Sequence, residues 1–351
     1  MQLSLFDYQL DDSLIAREPV VVRDEANLMV VDRNTDLLEE KRVKNIIEYL
    51  NTGDVLVLNE TKVFPARLYG VKDTGGKIEV LLHKQIGLGI YEVLTKPGVK
   101  DGTTISFEKM KATVLEHKDQ MSILKFDVMG NEFEKIVEEI GKTPLPPYIH
   151  TRLNEQEARE KYQTVYAKMS GSVAAPTAGL HFTKELLKQI EDKGVRIVKV
   201  WLHVGLGTFA SVKTDDIREH TMHEESFQLD ENAAEIINQA KLAGKKITAV
   251  GTTSVRVLES CVGSDGLVKP QKGETKIFIF PGYKFRIVDQ LLTNFHLPKS
   301  TLLMLVSALV STPNTSHKFE SFEKTLVGKA YLMAISEHWR FFSFGDAMLI
   351  L

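Results

Sequence analysis

The sequence has a single cysteine, two tryptophans and no long hydrophobic run. Cys261 alone allows no internal disulfide and fits no metal-type cysteine spacing, so we interpret it as a buried structural thiol rather than a nucleophile. The most apolar stretch, 301–310, is shorter than the ~20 residues that a membrane-spanning helix needs. The N-terminus also lacks the basic and apolar regions of a signal peptide. We therefore expect a cytoplasmic protein with no membrane partner.

The sequence also lacks a large excess of charge of either sign. The net charge is −3 at pH 7, and 26% of the 351 residues are charged against 43% hydrophobic, which is typical of a globular protein. This excludes a basic coat over the whole surface, although a local basic groove for nucleic acid is compatible with it. The length fits one large or two ordinary domains, and the sequence contains no internal repeat.

Alternating strand and helix patterns mark both ends of the chain. Short apolar runs at 27–31 and 54–58 predict buried strands, with a helical stripe between them. Beyond residue 163 the alternation resumes, and Thr183 and Asp230 fit helix N-caps. The further predicted strands are 195–202, 247–251, 276–280 and 290–294. One helix is predicted directly after Thr183 and another directly after Asp230. Three more are predicted at 254–260, 300–310 and about 319–336.

The middle of the chain has a different pattern. From about residue 62 to 126, short strand-like runs alternate with glycine-rich turns and show no helical stripe, which predicts a small barrel or sandwich. One helical stripe then ends at Gly141, and the proline-rich stretch 143–148 is stiff enough to lead the chain back. The sequence therefore predicts one α/β domain with a β-rich domain inserted after its second strand.

A ribbon of small residues at 171–183 (GSVAAPTAGLHFT) contains the first candidate site. Its glycines and alanines allow a backbone or a flat ligand to approach closely, and Thr177 offers a hydroxyl. His181 comes directly before a helix start, where an anion or a neutral imidazole is favoured. Tight packing around a satisfied histidine explains the same residues, and the ribbon alone does not separate the two interpretations.

Two further clusters carry weak signals. The stretch 203–209 (HVGLGTF) follows a predicted strand, but a lone Gly-x-Gly is weak evidence of phosphate binding. The residues after it open no helix, which disfavours a Rossmann or methyltransferase loop and leaves a simple turn. His220 and His223 precede Glu224 and are spaced for a metal, yet no H-E-x-x-H pattern accompanies them, and a charged surface loop is the alternative.

Three polar clusters follow the later predicted strands. The stretch 251–256 (GTTSVR) places three hydroxyls and an arginine at a helix start, which suits a helix cap or a cradle for a carboxylate or phosphate. The stretch 293–301 (TNFHLPKST) combines an amide, a histidine and a lysine, and 340–346 (RFFSFGD) suits core packing or base stacking. Because ligands of α/β sheets bind where strands end, we expect one shared cleft with acid–base and anion-binding chemistry.

Eight segments of the chain together resemble one enzyme family. In chain order they are 54–68, 144–149, 162–167, 174–182, 203–209, 251–256, 293–304 and 340–349. The family is the S-adenosylmethionine:tRNA ribosyltransferase-isomerases of queuosine biosynthesis, and the resemblance spans essentially the whole chain. It implies a mixed α/β fold, in which a larger α/β barrel-like domain (1–61 and 150–351) carries an inserted small β-barrel domain (62–149).

The resemblance also implies a reaction. The family transfers and isomerises the ribosyl moiety of S-adenosylmethionine onto 7-aminomethyl-7-deazaguanine at the tRNA wobble position, giving epoxyqueuosine-tRNA, adenine and methionine. S-adenosylmethionine is then a consumed co-substrate, and we expect no cofactor and no metal. The expected partners are S-adenosylmethionine and tRNA that carries the 7-deazaguanine precursor, and we expect a monomer.

The chemistry of this reaction suggests roles for the candidate residues. A base must take a proton from the ribosyl carbon beside the sulfonium, and His181 and His203 are the candidates because histidine titrates near neutral pH. Asp346 would orient one of them. The predicted substrate-binding residues are Thr177 and Gly179 against adenine or ribose, Thr252, Thr253 and Arg256 around the methionine carboxylate, and Asn294, His296 and Lys299 at the tRNA backbone or the deazaguanine.

Four positions depart from the family pattern. Arg17 stands where glutamine is expected, and Asn27 stands where arginine is usual. Trp339 and Phe344 replace common tyrosines, which keeps an aromatic face and removes two hydroxyls. The first two departures affect only a local N-terminal network.

Two other functions fit parts of the sequence. A metal-dependent hydrolase would use His220, His223 and Glu224, and a non-enzymatic RNA-binding adaptor would use the inserted β domain. Metal analysis tests the first alternative, and the release of adenine distinguishes a transferase from the second.

Overall fold

A computed structural model describes residues 1–118, 121–146, 149, 153–205 and 212–351. Its first ten strands are β1 (Asn27–Asp32), β2 (Leu37–Arg42), β3 (Val55–Asn59), β4 (Thr61–Val63), β5 (Arg67–Lys72), β6 (Lys77–Gly87), β7 (Ile90–Lys96), β8 (Thr104–Ser106), β9 (Lys111–Lys118) and β10 (Met121–Phe126). The later strands are β11 (Met169–Ser172), β12 (Arg196–Leu202), β13 (Glu225–Leu229), β14 (Ile247–Val250), β15 (Gln271–Thr275), β16 (Gln290–Asn294) and β17 (Ala347–Ile350). The α-helices are α1 (Gly130–Ile140), α2 (Glu155–Lys161), α3 (Lys184–Asp192), α4 (Glu231–Leu242), α5 (Gly251–Cys261), α6 (Thr301–Leu309) and α7 (Leu326–Ser336).

Nine strands form the mixed sheet of the larger domain, in the order β15-β13-β12-β3-β14-β16-β17-β1-β2. The central strands β12, β3, β14 and β16 run parallel to one another. β17 runs antiparallel to β16 and joins it to β1. The carboxyl ends of the four central strands therefore lie along one edge of the sheet, where ligands of such sheets bind.

Alternating side chains of the central strands fill two cores, one on each face of the sheet. In β3, Val55 and Val57 belong to one core, and Leu56 and Leu58 belong to the other. Burial on both faces explains why the central strands are continuous apolar runs in the sequence. Each fully buried apolar side chain stabilises the fold by about 1.5–3 kcal/mol. Residues of α4 to α7 pack into the first core, and those of α3 pack into the second.

The inserted part is a closed barrel of six antiparallel strands in the order β10-β7-β6-β5-β8-β9. Its interior is apolar, and Phe133 and Val137 of α1 pack into it. α1 ends at Gly141, where a Cβ atom would lie 2.1 Å from the Pro65 carbonyl oxygen, so only glycine fits there. The predicted mixed α/β class and the inserted barrel are confirmed, whereas the large sheet has free edges at β15 and β2 among the described strands. The domain bounds at 62 and 149 stay a prediction.

The errors of the sequence-based prediction lie at the edges of the large sheet. The predicted strand at 276–280 is wrong, because the strand that pairs with β13 is the preceding polar segment β15. β2, at the other edge, was not predicted. Both edge strands are polar and largely exposed, so they lack the buried pattern on which the prediction depends. The predicted helix after the first strand is a 3₁₀ turn, Val43–Tyr49.

The predicted helix caps and the predicted buried cysteine are confirmed. The side chains of Thr183 and Asp230 cap α3 and α4 by accepting from backbone N–H groups three residues on. Cys261 is buried, and burial raises the pKa of its thiol to about 12, which is unlike a nucleophilic cysteine. Among the described helices, none is long and apolar enough to cross a membrane.

Candidate active site

The candidate site lies at the carboxyl edge of the central strands. His203 follows β12 directly, α5 begins at Gly251 directly after β14, and Asn294 is the last residue of β16. Because β17 runs antiparallel to β16, the aromatic stretch 340–346 that precedes it reaches the same edge. The sheet thus gathers segments that are far apart in sequence, as the strand-end argument predicts.

A small cavity at this edge is lined by five of the predicted substrate-binding residues. They are Thr177, Thr252, Thr253, Asn294 and His296. Gly251 also lies in the wall, and its φ of +81° is a conformation that glycine adopts without strain. The cavity measures about 40 Å³, well below the roughly 150 Å³ of a protein cavity that holds benzene. A nucleoside therefore enters only when the walls move apart.

Asn294 links Thr177 on the cavity wall to His181 behind it. The Thr177 hydroxyl donates to Asn294 Oδ1 at 3.0 Å, so the amide Nδ2 donates to His181 Nε2 at 3.1 Å. Burial, with the charges of Arg23 and Arg340 as smaller causes, lowers the pKa of His181 to about 4. The imidazole is therefore neutral near pH 7 and contacts the cavity through Asn294.

His296 lines the cavity, but its polar atoms contact the protein. Its Nε2 lies 3.2 Å from the Thr293 hydroxyl oxygen, and its backbone N–H donates to the Tyr331 hydroxyl at 2.9 Å. The Tyr8 hydroxyl donates to its carbonyl oxygen. Burial lowers the pKa of His296 to about 3. These contacts make His296 a rigid part of the wall beside Asn294.

Arg256 lines a second, smaller cavity that shares Thr252, Thr253 and Leu302 with the first. Its Nη1 is bonded to the buried carboxylate of Glu225. Its Nε and Nη2, and the Thr253 hydroxyl, are buried without a hydrogen-bond partner among the described residues. Burial lowers the pKa of Arg256 to about 10, so the guanidinium remains charged near pH 7. Buried donors of this kind fit an anionic ligand.

His203 lies beside the cavity and has different neighbours. Val204 lines the cavity, whereas the imidazole of His203 packs edge-on to Trp201 and to His83, with ring centroids 6.3 Å away in both cases. Its Nε2 is buried and has no hydrogen-bond partner in the described part of the chain. Burial, as the main cause, lowers the pKa of His203 to about 4. The two predicted histidines thus occupy different surroundings, with His181 behind Asn294 and His203 at the contact with the barrel.

Sequence reasoning missed His83, which β6 of the barrel brings to His203. It also missed Leu302 in the cavity wall, whereas Ala175 and Ser343 belong to the predicted stretches 171–183 and 340–346. For His83 the available signal was a polar residue within an apolar strand pattern, which gives no information about the opposite domain.

Two predicted site residues have other partners. Gly179 packs under Tyr166, since a Cβ atom there would lie 1.9 Å from the Tyr166 hydroxyl oxygen. Asp346 accepts hydrogen bonds from the backbone N–H groups of Asn27 and Arg340, both at 2.8 Å. Its described hydrogen bonds therefore hold two chain segments together, and the prediction that it orients a histidine is corrected.

Lys299 lies outside the cavity. Its ammonium is 2.6 Å from the Asp7 carboxylate, and both side chains are more than 40% exposed, at 44% and 42%. The exposed position excludes a place in the cavity wall and is compatible with a phosphate, so its role at the tRNA backbone stays a prediction.

The departures from the family pattern are accommodated locally. Asn27 donates from Nδ2 to Asp346 at 3.2 Å and accepts from Arg42 at 2.6 Å, so it bridges the two. Phe344 and Trp339 are both buried in edge-on aromatic contacts. Neither aromatic position therefore depends on a hydroxyl for its packing.

Gly179→Ala is expected to destabilise the protein by about 1–3 kcal/mol, because overpacking a filled core forces its neighbours to move. The added Cβ would meet the Tyr166 hydroxyl and lie 3.0 Å from Thr164 Cγ2. Chemical denaturation measures the change. Tyr166→Phe is expected to recover part of the loss, since the oxygen it removes is buried without a partner in the described residues. Gly273→Ala is the control, with its nearest neighbour 3.9 Å away, and equal stability of the two alanine variants would contradict this account.

The possible metal ligands have other contacts. The His220 ring packs edge-on to Phe278, and Glu224 pairs with Lys276 at 3.2 Å. Within the described ranges, no three His, Cys, Asp or Glu side chains are grouped to hold a metal ion. The motif residues 206–209 and the end of the proline-rich stretch, 147–148, lie outside the described residues.

Comparison with known proteins gives one consistent result. The family described as "Queuosine biosynthesis protein" matches residues 3–350. A relative from Desulforamulus reducens, named S-adenosylmethionine:tRNA ribosyltransferase-isomerase, is 51% identical over 357 residues and 100% of both chains. A relative of the same name from Carboxydothermus hydrogenoformans is 49% identical over 355 residues and 100% of both chains.

A solved structure gives the same assignment. The S-adenosylmethionine tRNA ribosyltransferase from Thermotoga maritima is 37% identical, covers 99% of this chain and 100% of its own, and superimposes with a TM-score of 0.54. Sequence and fold therefore agree over the full length. The chain belongs to the queuosine biosynthesis family of S-adenosylmethionine:tRNA ribosyltransferase-isomerases.

Proposed function

We infer that this chain transfers and isomerises the ribosyl moiety of S-adenosylmethionine onto 7-aminomethyl-7-deazaguanine at the wobble position of tRNA. The products are epoxyqueuosine-tRNA, adenine and methionine. Family membership supports the reaction. The structural observation that carries it is the cavity at the strand ends, which Thr177, Thr252, Thr253, Asn294 and His296 share. S-adenosylmethionine is consumed in this reaction, so we propose that it acts as a substrate and that no resident cofactor takes part.

The carboxylate of S-adenosylmethionine is proposed to bind at Arg256 and Thr253. The donors Nε, Nη2 and Oγ1 of these residues are buried and lack partners among the described residues, and a carboxylate accepts from all three types. Glu225 neutralises part of the Arg256 charge and fixes the guanidinium. The methionyl end would therefore lie in the smaller cavity and the nucleoside in the larger one.

The adenosine part is proposed to fill the larger cavity when it opens. Ala178 and Gly251 present little bulk in its wall, so a flat ring can lie close to the backbone. The Asn294 amide is fixed between Thr177 and His181, which gives it one orientation toward the ribose or the base. A prepositioned amide contributes binding energy without having to be ordered on binding.

His203 is proposed to accept the proton from the ribosyl carbon beside the sulfonium. The sulfonium acidifies that C–H bond, and a neutral base does not repel its positive charge. Burial lowers the pKa of His203 to about 4, which keeps the imidazole uncharged near pH 7. Its Nε2 is also buried without a partner among the described residues, so none of those residues competes for the proton.

Incubation with S-adenosylmethionine and tRNA that carries 7-aminomethyl-7-deazaguanine tests the inferred function. We expect equimolar release of adenine and methionine, and epoxyqueuosine in the nucleoside digest by mass spectrometry. The same tRNA with guanine at the wobble position is the matched control and is expected to release no adenine above background.

Two other outcomes would overturn the inferred function. S-adenosylhomocysteine as the product would show methyl transfer instead of ribosyl transfer. A gel shift of the tRNA without release of adenine would show an RNA-binding adaptor.

A further inference from the structure

A β-bulge in the barrel turns two consecutive side chains of β6 out of the barrel. Leu82 pairs with Val93 and Lys84 pairs with Glu92, so His83 is an extra residue with no opposite residue in the ladder. Up to Leu82, alternate residues of β6 are buried, and this alternation ends at the bulge. Bulges commonly re-aim side chains in this way beside functional sites.

Both side chains contact the larger domain. Lys84 pairs with Glu274 of β15 at 2.5 Å, and the His83 ring lies edge-on to His203. The backbone after His203 also passes next to His83, since a Cβ atom on Gly205 would lie 3.1 Å from His83 Cε1. The bulge therefore brings an imidazole of the barrel to the edge of the site.

This imidazole has an unused nitrogen. His83 Nδ1 is buried and has no hydrogen-bond partner in the part of the chain that the structure describes. Burial lowers the pKa of His83, and the charges of His223 and Lys84 add to the effect, so the ring is neutral near pH 7. Leaving such a buried atom without a hydrogen bond destabilises the protein. A ligand that donates a hydrogen bond would remove this penalty.

His83 is also linked to the proposed carboxylate site. The Gly205 N–H, next to His83, donates to one oxygen of Glu225 at 3.2 Å, and the other oxygen of that carboxylate is bonded to Arg256. An acceptor at His83 and free donors at Arg256 thus flank the same carboxylate. An α-amino acid carries an ammonium and a carboxylate on one carbon, which matches this arrangement.

We propose that His83 is a further substrate-binding residue, whose Nδ1 accepts a hydrogen bond from a primary ammonium or amine. His203 remains available for proton transfer. The proposal rests on the function inferred above, in which two substrates carry such a group. These are the methionyl part of S-adenosylmethionine and the aminomethyl-deazaguanine of the tRNA.

The first arm of the test compares S-adenosylmethionine with an analogue in which hydrogen replaces the α-ammonium group. The wild-type protein is expected to bind S-adenosylmethionine at least about tenfold more tightly than the analogue in calorimetry, the effect of one charge-assisted hydrogen bond. His83→Ala is expected to bind the two with equal affinity. His83→Asn places an amide oxygen near the position of Nδ1 and is expected to restore most of the preference.

The second arm compares two tRNAs, one with the aminomethyl-deazaguanine and one with guanine at the wobble position. If His83 contacts the base, His83→Ala is expected to lose the preference for the modified tRNA in gel shifts. If His83→Ala instead loses the preference for S-adenosylmethionine over its analogue, the contact of His83 is with the α-ammonium group of S-adenosylmethionine. Unchanged preferences in both arms overturn the proposal.

Two control variants separate binding from barrel structure. His117→Ala changes a histidine of the same barrel whose ring is bonded to Ser122 at 2.8 Å, and it is expected to keep both preferences. Lys84→Ala removes the docking ion pair and leaves His83 in place. If Lys84→Ala abolished the substrate preference as fully as His83→Ala, the contact between the barrel and the larger domain would explain the preference instead of the proposed hydrogen bond. A wild-type protein that bound neither substrate would contradict the inferred function itself.

Discussion

His203→Ala is expected to lower the rate of adenine release by about 10²–10⁴-fold, the usual loss when a general base is removed. The affinity for S-adenosylmethionine is expected to fall much less, because the proposed role concerns a proton that moves only during the reaction. The fold is expected to persist, since Nε2 of this imidazole makes no hydrogen bond with the described residues. Single-turnover release of adenine and calorimetric binding measure the two quantities separately.

The pH dependence of kcat/KM gives a second readout. His203 works only when it is neutral, so activity is lost as the pH falls through its pKa of about 4 in the folded protein. An exposed histidine would lose activity near its ordinary pKa of about 6.5. We therefore expect a flat profile from neutral pH down to about pH 5 and a decline below it. A decline centred near 6.5 would contradict the assignment of a buried base.

Chemical rescue distinguishes a lost base from a damaged structure. Added imidazole is expected to restore part of the activity of His203→Ala in proportion to its concentration, because the missing group alone limits the rate. His181→Ala is expected to lose less activity and to show no rescue, since His181 acts through Asn294. His117→Ala serves as the unaffected control. Near-full turnover in both His181→Ala and His203→Ala would end the proposal for acid–base catalysis.

The part of the site that follows strand ends could be predicted from the sequence. Thr177, Thr253, Asn294 and His296 line one cavity because three of them follow or end buried parallel strands, and the small-residue ribbon carries the fourth. Apolar runs identify such strands, and parallel strands bring their carboxyl ends to one edge. No knowledge of long-range contacts was needed for this result.

The remaining features depend on contacts that no local pattern contains. His83 reaches His203 through a bulge, and a bulge depends on the register of two strands. The small residues predict that Gly179 lies against adenine or ribose, whereas Tyr166 fills the space beside it. Small residues permit close approach in either case, so the sequence did not identify the neighbour. The polar edge strand β15 was missed for a related reason, because exposure removes the period-2 pattern.

Arg256→Met is expected to destabilise the protein by about 3–5 kcal/mol, because it leaves the Glu225 carboxylate buried without Arg256. The two side chains are only 7% and 3% exposed, so water cannot replace the lost partner. Glu225 also accepts from the Gly205 N–H, a contact that glutamine can keep. The double variant Arg256→Met/Glu225→Gln removes both charges and is expected to recover most of the lost stability in chemical denaturation. Lys324→Met, at an exposed ion pair, is the control and is expected to show no measurable change.

In these variants, the effect on S-adenosylmethionine binding is expected to differ from the effect on stability. The Nε and Nη2 donors are missing in both Arg256→Met and the double variant, so calorimetry is expected to show strongly weakened binding in both, although only the single variant is unstable. If the double variant bound S-adenosylmethionine as tightly as wild type, the guanidinium would be a structural group and the carboxylate would bind elsewhere. If single and double variants were equally unstable, the buried-pair explanation would fail while the binding role could still hold. Because the two measurements have independent outcomes, one pair of substitutions tests whether this buried arginine supports the fold, the substrate or both.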